Sequence, residues 1–400
     1  MKDKPKVLSR FLGLNNVLDP MVGDMDADGK PRTWEWQQQA DNVNLTNAGK
    51  YVRRDGFKPF LSGANVTAAF STVDFQRLYL IDSGTLGEIQ EDGTAGMLHE
   101  GLTGPAYWAE VNQVVYLSSS EKLEVRRDGT VRPWGVPTPV GGALAPASGS
   151  LPAGTYQVCF THADDNGREG GSSPSLSIEV ADGGIALTDI PTIPGYYTCC
   201  YLTDGGAIFY RAATYPWVVK SATLSALPEG PELTTELLNP PPENGGYVAH
   251  FGARMYIAEY LPASDTTVVW ASEPLGYHLF DLDKSFFLVP GEVTQLADAG
   301  TSLLVVTRHQ VFAYTGSGIK KLADYGAPHG QHISHGPAPA QHLYFWTDRG
   351  LCRAEPFENL TEGRVSVPPG SRVAGGVIQQ HGYTRYVAVL KSGGAAFNKR

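Results

Sequence analysis

A strand–turn–strand pattern returns along this chain at nearly regular intervals and is interrupted once by a long insertion. Its start-to-start spacings are 36, 141, 48, 40 and 43 residues. The long interval falls to roughly 40 if about 100 residues form an inserted domain, and paired strands repeating at that period are typical of β-propeller blades. The pattern therefore predicts an all-β propeller of six blades, with seven as the alternative count. The copies begin at Arg77, Gln113, Arg254, Ser302, His342 and Arg385.

Composition favours the same fold class. The chain has 400 residues, of which 42% are hydrophobic and only 18% charged, while glycine (46) and proline (28) are abundant. Many turns and few solvated helices produce such a balance. The length suits one large all-β domain that carries a smaller one.

The pattern and two proline-rich linkers divide the chain into four segments. The linkers are PTPVGGALA and LLNPPPENGG, at 137–145 and 237–246. Stiff linkers on both sides are what a domain insertion requires. The predicted segments are an N-terminal arm (1–50), the first part of the propeller (51–136), an inserted domain (146–240) and the second part of the propeller (247–400).

The arm carries two further expectations. The segment TWEWQQQADNVNL (33–45) has apolar residues at a spacing that suits one short helix. Residues near 50–61 read as a strand, and we expect them to complete the last blade, because joining the two termini removes open sheet edges.

The insertion alternates apolar and polar residues in short runs. One face of a strand carries Tyr156, Val158 and Phe160, and a later strand carries Leu176, Ile178 and Val180. Several short strands in about 100 residues, with turns every 8 to 12 residues, predict an immunoglobulin- or fibronectin-type β-sandwich.

Charge and cysteine usage exclude several classes. The net charge is −10, from 31 basic and 41 acidic residues, so the basic surface of a protein that grips nucleic acid is missing. A mildly acidic wall still allows DNA to slide past without sticking. No apolar run approaches membrane-spanning length and no secretory signal is visible. Four cysteines without metal-ligand spacing predict buried thiols in a reducing cytoplasm, with the neighbours Cys199 and Cys200 on opposite faces of a strand.

An acidic loop is the one candidate metal site. DMDADGKPRTWE (24–35) fits the spacing of a calcium loop, in which alternating carboxylates converge and a glycine permits the bend. Pro31 replaces the usual apolar residue, and the flanks do not form amphipathic helices, so a solvated acidic turn is the alternative. No cofactor is required, and calcium is the candidate ion. The candidate ligands are Asp24, Asp26, Asp28, Lys30 (through its carbonyl) and Glu35.

Catalytic patterns are weak, so we expect no enzyme. The carboxylate pairs Asp281/Asp283 and Glu355/Glu358 could serve a glycosidase, but they lie in polar turns. The run HGQHISH places His329, His332 and His335 at a spacing of three, yet its glycines and proline indicate an irregular loop.

Several motifs resemble propeller-type structural proteins of tailed bacteriophages. The arm carries GLNNVLDP and then ADNVNLTNAGKYVRRDGF, which enters the first blade. The insertion LPAGTYQVCFTHADDNGREGGSSP is similar to the fibronectin-type module inside such proteins, and AIFYRAA to its later strand. The return VAHFGARMYIAEY, with VVWASEPLGYHLFD, resembles their next blade. Each motif is short, but they cover most of the chain in order. The family supplies no catalytic residues.

The resemblance implies a virion protein of the short-tail nozzle or hub. Such a subunit would form a homo-oligomeric ring, with a hexamer favoured, around the DNA ejection channel. Its partners would be its own copies, a tail adaptor or neighbouring tail proteins, and DNA only in transit, without membrane insertion. It would be assembled in the host bacterial cytoplasm.

A binding role is the alternative. A tail-tip or spike protein could recognise a bacterial surface glycan by stacking sugars on aromatic side chains of the inserted domain. A propeller glycan hydrolase ranks third. The candidate stacking residues are Tyr196, Tyr197, Tyr215 and Trp217.

Overall fold

The computed structural model describes most of the chain from residue 65 onwards. It covers residues 65–90, 93–203, 206, 208–330, 342–363, 370–380 and 383–391, together with short strands at 13–14, 36–37, 43–45, 51–53 and 333–335. Within these residues every element is a strand, except a single 3-10 turn at Pro262–Ser264. The described part is therefore all-β, as predicted. The chain divides into two compact units, Gly63–Pro290 on the one hand and Met1–Ser62 with Gly291–Arg400 on the other.

The arm contributes four short strands to the described residues. They are β1 (Gly13–Leu14), β2 (Trp36–Gln37), β3 (Val43–Leu45) and β4 (Tyr51–Arg53). β1 pairs with β2 in parallel, and β3 pairs with β4 antiparallel. Two strands, β2 and β3, lie in the segment 33–45 that was predicted to hold one short helix, so the prediction is wrong for the residues described there. Five apolar residues in thirteen fit a helix and two short strands equally well.

The unit Gly63–Pro290 begins with two four-stranded antiparallel meanders. The first contains β5 (Val66–Ser71), β6 (Leu78–Asp82), β7 (Thr85–Ile89) and β8 (Ala95–His99). The second contains β9 (Tyr107–Val111), β10 (Val114–Ser118), β11 (Lys122–Arg126) and β12 (Val131–Pro133).

Tight turns set the register of these meanders. Asn112 and Gln113 join β9 to β10 with φ values of 50° and 66°, which is the left-handed pair of a type I′ turn. The same geometry recurs at Ser83 (φ 52°) and Gly84 (φ 83°), between β6 and β7. Gly129 has φ 84° and lies in a turn predicted from its Asp-Gly dipeptide.

Residues 143–224 form two sheets around one apolar core. The first sheet has the order β13-β16-β19, and the second the order β15-β14-β17-β18. The strands are β13 (Ala143–Leu151), β14 (Gly154–Ala163), β15 (Leu176–Val180), β16 (Gly183–Thr188), β17 (Tyr197–Thr203), β18 (Tyr210–Pro216) and β19 (Ala222–Leu224). Buried side chains from both sheets meet between them, so this segment is a β-sandwich. We call it the inserted sandwich.

The predicted alternation is confirmed inside the sandwich. Tyr156, Val158 and Phe160 all point into the shared core. Cys200 lies in that core, whereas Cys199 lies in a separate cluster on the other face of β17. All four cysteines are buried and free, as predicted. Burial raises the pKa of Cys159 to about 12.

A five-stranded sheet follows the sandwich. It contains β20 (Val248–Phe251), β21 (Arg254–Leu261), β22 (Thr266–Glu273), β23 (Gly276–Phe280) and β24 (Phe286–Pro290). Strand β22 pairs with β24 along its first half and with β23 at its end.

The second unit continues with meanders. One sheet contains β25 (Val293–Asp298), β26 (Leu303–Thr307), β27 (Val311–Tyr314) and β28 (Ile319–Ala323). Another contains β30 (Ile333–His335), β31 (His342–Thr347), β32 (Gly350–Arg353) and β33 (Glu358–Asn359). A third has the order β29-β34-β35, from β29 (His329–Gly330), β34 (Arg372–Gln380) and β35 (Tyr383–Lys391).

Five of the six sequence copies fold as central hairpins of these sheets. They are the pairs β6–β7, β10–β11, β21–β22, β26–β27 and β31–β32. The sixth copy was placed too late, because Arg385 lies inside β35, which is the second strand of the β34–β35 hairpin. Strand β4 pairs with β3, and residues 54–61, the rest of the segment expected to complete the last blade, lie outside the described residues.

Consecutive sheets share cores. One cluster joins β6 and β7 to β10 and β11, and another joins the β9–β12 sheet and Trp134 to the five-stranded sheet. In the second unit a cluster joins the β25–β28 sheet to β31 and β32. The β9–β12 sheet is covered on both faces in this way, which explains why its inner strand β10 reads VVYLS, an almost continuous apolar run.

Candidate functional site

The turn after β14 is the most highly organised polar feature of the described chain. Its sequence is DDNGREGG, residues 164–171. The Asp164 carboxylate accepts hydrogen bonds from the backbone N–H groups of Asn166 (3.0 Å) and Arg168 (2.9 Å). Gly167 supplies the left-handed residue, with φ 78°. These contacts close an Asx-type turn, from which the Arg168 side chain extends to Glu124 of the β9–β12 sheet.

Arg168 reaches from the turn to the β9–β12 sheet. Its guanidinium donates to Glu124 Oε2 (2.7 Å) and to Asp164 Oδ2 (2.8 Å). It also donates to the carbonyl oxygens of Pro133 (3.3 Å) and Trp134 (3.2 Å), at the end of β12. Five-donor guanidinium groups suit such forked binding, for which a lysine would be a poor substitute.

A second arginine completes a four-membered network. Arg132 pairs with Glu124 Oε1 (2.6 Å) and with Asp164 Oδ2 (3.2 Å), so each carboxylate contacts both arginines. The Glu124 side chain is only 4% exposed and that of Arg168 17%. Burial alone would raise the pKa of Asp164, but its hydrogen bonds and charge interaction with Arg168 outweigh burial and hold that pKa below its usual value.

Glu169 anchors the turn to the sandwich itself. Its carboxylate accepts hydrogen bonds from Tyr201 (2.6 Å), from Arg211 (2.6 Å) and from the Thr161 hydroxyl. Arg211 also donates to the Tyr201 hydroxyl (3.0 Å) and lies over its ring, 5.4 Å from the centroid. Burial and the Glu169 hydrogen bond raise the pKa of Tyr201, so the phenol stays protonated and donates.

The end of the turn contacts the segment that leaves the sandwich. Thr235 donates to the carbonyl oxygen of Gly170 (2.7 Å). A β-carbon on Gly171 would overlap the carbonyl oxygen of Leu238, so only glycine fits there. His278 of β23 lies with Nε2 3.2 Å from the carbonyl oxygen of Glu169. We call this set the joint: Glu124, Arg132, Asp164, Arg168, Glu169 and His278.

The joint has the chemistry of an attachment. Every carboxylate in it is held by at least one arginine, so none is available as a general base. One eight-residue turn contacts the sheet before the insertion, the segment after it and the next sheet. The joint therefore fixes the orientation of the inserted sandwich relative to the β9–β12 sheet.

Three of the four carboxylates considered as catalytic candidates, Asp281, Glu355 and Glu358, have structural partners. Asp281 accepts from the N–H groups of Asp283 (3.0 Å) and Lys284 (3.1 Å), which closes a turn. Glu355 accepts from the hydroxyls of Thr301 and Ser302, both at 2.7 Å, and Glu358 pairs with Arg353 at 2.6 Å.

Most of the residues considered as metal ligands lie outside the described part of the chain. Asp24, Asp26, Asp28, Lys30 and Glu35 all lie outside the described residues, so the calcium loop stays a prediction. His329 pairs with Glu292 (3.2 Å), whereas His332 and the side chain of His335 lie outside the description. Among the residues that are described, no three His, Cys, Asp or Glu side chains cluster as metal ligands.

The candidate aromatic residues surround the end of the sandwich that carries the joint. Tyr197 pairs with Ala163, immediately before the turn, and with Pro216 on β18. Tyr197 is 47% exposed and Trp217 46%, whereas Tyr215 packs against the sandwich core and Tyr196 is half-buried. The two exposed rings thus lie beside the attachment.

The sequence analysis missed the joint. Its signal was a concentration of charge: the turn carries four charged residues in six, in a chain that is only 18% charged. Asp164 and Arg168 enclose a glycine, which indicates a turn with an internal ion pair. Nothing in the sequence connects that turn to Glu124 and Arg132, which precede it by more than thirty residues.

Comparison with known proteins gives no identity. No protein-family model matches the chain, and the curated proteins gave no match. Among solved structures, the AfRom2 CNH domain aligns over 77% of this chain and 83% of its own, at 9% identity and a TM-score of 0.26. Sqt1 of Saccharomyces cerevisiae aligns over 70% and 81%, at 10% identity and a TM-score of 0.24. Porphyromonas gingivalis dipeptidyl peptidase 4 aligns over 80% and 56%, at 9% identity and a TM-score of 0.25. TM-scores this low assign neither a common fold nor a shared function. No helix in the described part of the chain is long and apolar enough to cross a membrane.

Proposed function

We propose that this chain is a structural virion protein of a tailed bacteriophage. In the proposal it is a β-propeller of six blades, with seven as the alternative count, that carries an immunoglobulin- or fibronectin-type sandwich. Its copies form a ring, a hexamer by preference, in the nozzle or hub of the tail around the DNA ejection channel. A tail adaptor or neighbouring tail proteins are the other partners, and DNA passes only in transit.

The observation that carries the proposal is the order of the parts. Meander sheets follow one another along the chain, neighbouring sheets share buried cores, and a two-sheet sandwich is inserted between the second and third of them. The phage-tail motifs occur in that same order, from the arm through the insertion to the returning strands.

The chemistry of the joint fits a protein with a structural role. A subunit that must keep its shape while neighbours pack against it benefits from an appendage held in one orientation. The buried network supplies that orientation, since ion pairs with fixed geometry specify an arrangement even where they add little stability. The carboxylates of the joint, and those of Asp281, Glu355 and Glu358, all have structural partners, which supports a role other than catalysis.

Electron microscopy of the purified protein tests the proposal. The expected result is a closed ring whose class averages show rotational symmetry and a channel wide enough for duplex DNA, about 20 Å in diameter. Rings should persist when the protein is diluted, because a heterologous contact that closes is reinforced around the ring. Monomers or trimers without a channel, both alone and with neighbouring tail proteins added, would contradict it.

Glycan binding is the second candidate, favoured by the exposure of Tyr197 and Trp217. A glycan array probed with the full chain, and with Trp217→Ala as the matched variant, separates the two roles. Binding that is lost in Trp217→Ala would support the tail-tip role. Equal signals from the two proteins would remove the aromatic residues from consideration.

A further inference from the structure

His278 is the one uncharged titratable side chain in the joint. It lies on β23, next to Tyr277, whose carbonyl oxygen accepts a hydrogen bond from Trp134 Nε1 (2.7 Å). Its Nε2 is 3.2 Å from the carbonyl oxygen of Glu169, so Nε2 carries the proton and donates. In this arrangement the imidazole contributes a hydrogen bond without a charge.

Every carboxylate around His278 is already paired with a guanidinium group. The buried ionised groups of the joint and of its Glu169–Arg211 pair form three carboxylates and three guanidinium groups, in mutual ion pairs, and the more exposed Arg126 of β11 adds a fourth guanidinium group beside Glu124. They come from every element that packs here: Glu124 on β11, Arg132 on β12, Asp164, Arg168 and Glu169 in the turn, and Arg211 on β18. A proton on His278 would add an unpaired positive charge beside Arg168.

Burial and the neighbouring Arg168 accordingly lower the pKa of His278, against weaker opposing effects of Glu169, Glu124 and Asp164. When the joint opens, the imidazole meets water and returns to an ordinary pKa of about 6.5. The open form then binds the proton more tightly than the closed form. Below about pH 6.5 acid therefore favours opening, until the lowered pKa of the closed form is reached.

We propose that the joint is an acid-sensitive latch, in which protonation of His278 releases the inserted sandwich from the β9–β12 sheet while both remain folded. The sandwich keeps its own apolar core when this happens, since that core contains none of the joint residues. The inference concerns the fold of this chain and does not depend on the proposed virion role.

Hydrogen exchange at single amides measures the opening, because it detects rare open states. The reporters are two amides of the turn: the N–H of Gly170, bonded to the carbonyl oxygen of His162 (2.9 Å), and the N–H of Arg168, bonded to Asp164 (2.9 Å). When the joint opens, the turn loses its contacts with Glu124 and His278, and we expect these two hydrogen bonds to open with it. Exchange rates are divided by their intrinsic values at each pH to give protection. We expect protection at both reporters to fall about tenfold per pH unit below about pH 6.5. Amides of β14 and β17 inside the sandwich should keep their protection over the same range.

His278→Gln is the decisive variant, because glutamine retains an N–H donor but does not titrate. Its protection at the two reporters should be independent of pH from about 7 to about 5. The readout is the change of protection with pH. A substitution that weakens the joint equally at every pH therefore still gives a clear answer. His162→Gln is the control: this second buried histidine contacts Thr198 inside the sandwich, and its variant should keep the native slope at the reporters.

Two results would overturn the latch. One is a native joint whose protection does not change with pH in this range. The other is an equal slope in native protein and His278→Gln, which would assign the titration to a different group.

Discussion

The inserted sandwich is held together by one kind of force and held in place by another. Its interior is made of apolar side chains from two sheets, among them Phe160 and Leu187, with no ionised group. Its attachment is a set of ion pairs and hydrogen bonds around Arg168. Apolar burial scales with area and is indifferent to pH, whereas a buried ion pair yields little net stability but is costly to break. The interior of the sandwich is therefore insensitive to pH, whereas its attachment depends on the ionisation of the joint residues.

The largest expected effect lies in the interior. Phe160 is fully buried in the sandwich core, so Phe160→Ala should lower the free energy of unfolding of the sandwich by about 3–5 kcal/mol. Hydrogen exchange of β14 and β17 amides under native conditions measures that loss. The loss should be the same at about pH 7 and about pH 5. A loss below about 1 kcal/mol would mean that the core can rearrange to fill the space.

The next effect separates attachment from interior. Arg168→Met leaves Asp164 with Arg132 alone and Glu124 with Arg132 and the more exposed Arg126, and breaking a buried pair costs about 3–5 kcal/mol. We expect this cost to appear as a loss of hydrogen-exchange protection at the Gly170 amide, while the protection of the β14 and β17 amides stays unchanged. Adding Glu124→Gln to Arg168→Met should restore part of it, because one unpaired buried charge is removed.

Arg126→Met is the matched control for this prediction. Arg126 pairs with the same Glu124 at 3.3 Å, but its side chain is 38% exposed, and a solvated pair contributes less than about 1 kcal/mol. Equal effects of Arg126→Met and Arg168→Met would show that burial is not what gives the joint its strength.

A smaller effect should appear at lower pH. The pKa of Asp164 is held below its usual value, so its contribution is complete above about pH 4 and is lost as the pH falls through the lowered pKa. This window begins at about pH 4, whereas that of His278 begins at about pH 6.5. In Asp164→Asn the joint should be weaker at neutral pH and should lose no further protection in that window. Asp128→Asn, in the exposed turn after β11, should leave the window unchanged.

The repeated sheets were the predictable part of the fold. A hairpin such as β10–β11 is specified by residues that lie next to one another: an apolar run, a polar turn, and a second run ending in Asp128-Gly129. The predicted position of the sixth copy was wrong for a local reason as well. Its long strands, β34 and β35, each contain nine residues, so a sequence window starting at Arg385 captured only half of the hairpin.

The joint could not be predicted in the same way. Asp164 and Arg168 form a turn that the sequence does suggest, but the turn acts through Glu124 and Arg132 in a different sheet. Which sheet the turn contacts depends on the path of the chain into and out of the inserted sandwich. Close approaches such as that of Gly171 to Leu238 determine this path. Sequence spacing carries no information about such a contact between distant segments.

The smallest expected effect tests whether the aromatic residues belong to the attachment. Trp217 and Tyr197 lie at the same end of the sandwich as the joint, yet both remain about half exposed. A side chain that exposed contributes little to folding, so Trp217→Ala should change sandwich stability and Gly170 protection by less than about 0.5 kcal/mol each. If Gly170 protection fell much further, apolar contact would be part of the attachment, and the division between interior and joint would be wrong. If protection holds, the rings are free to meet a partner, and any binding lost in Trp217→Ala can be assigned to that partner.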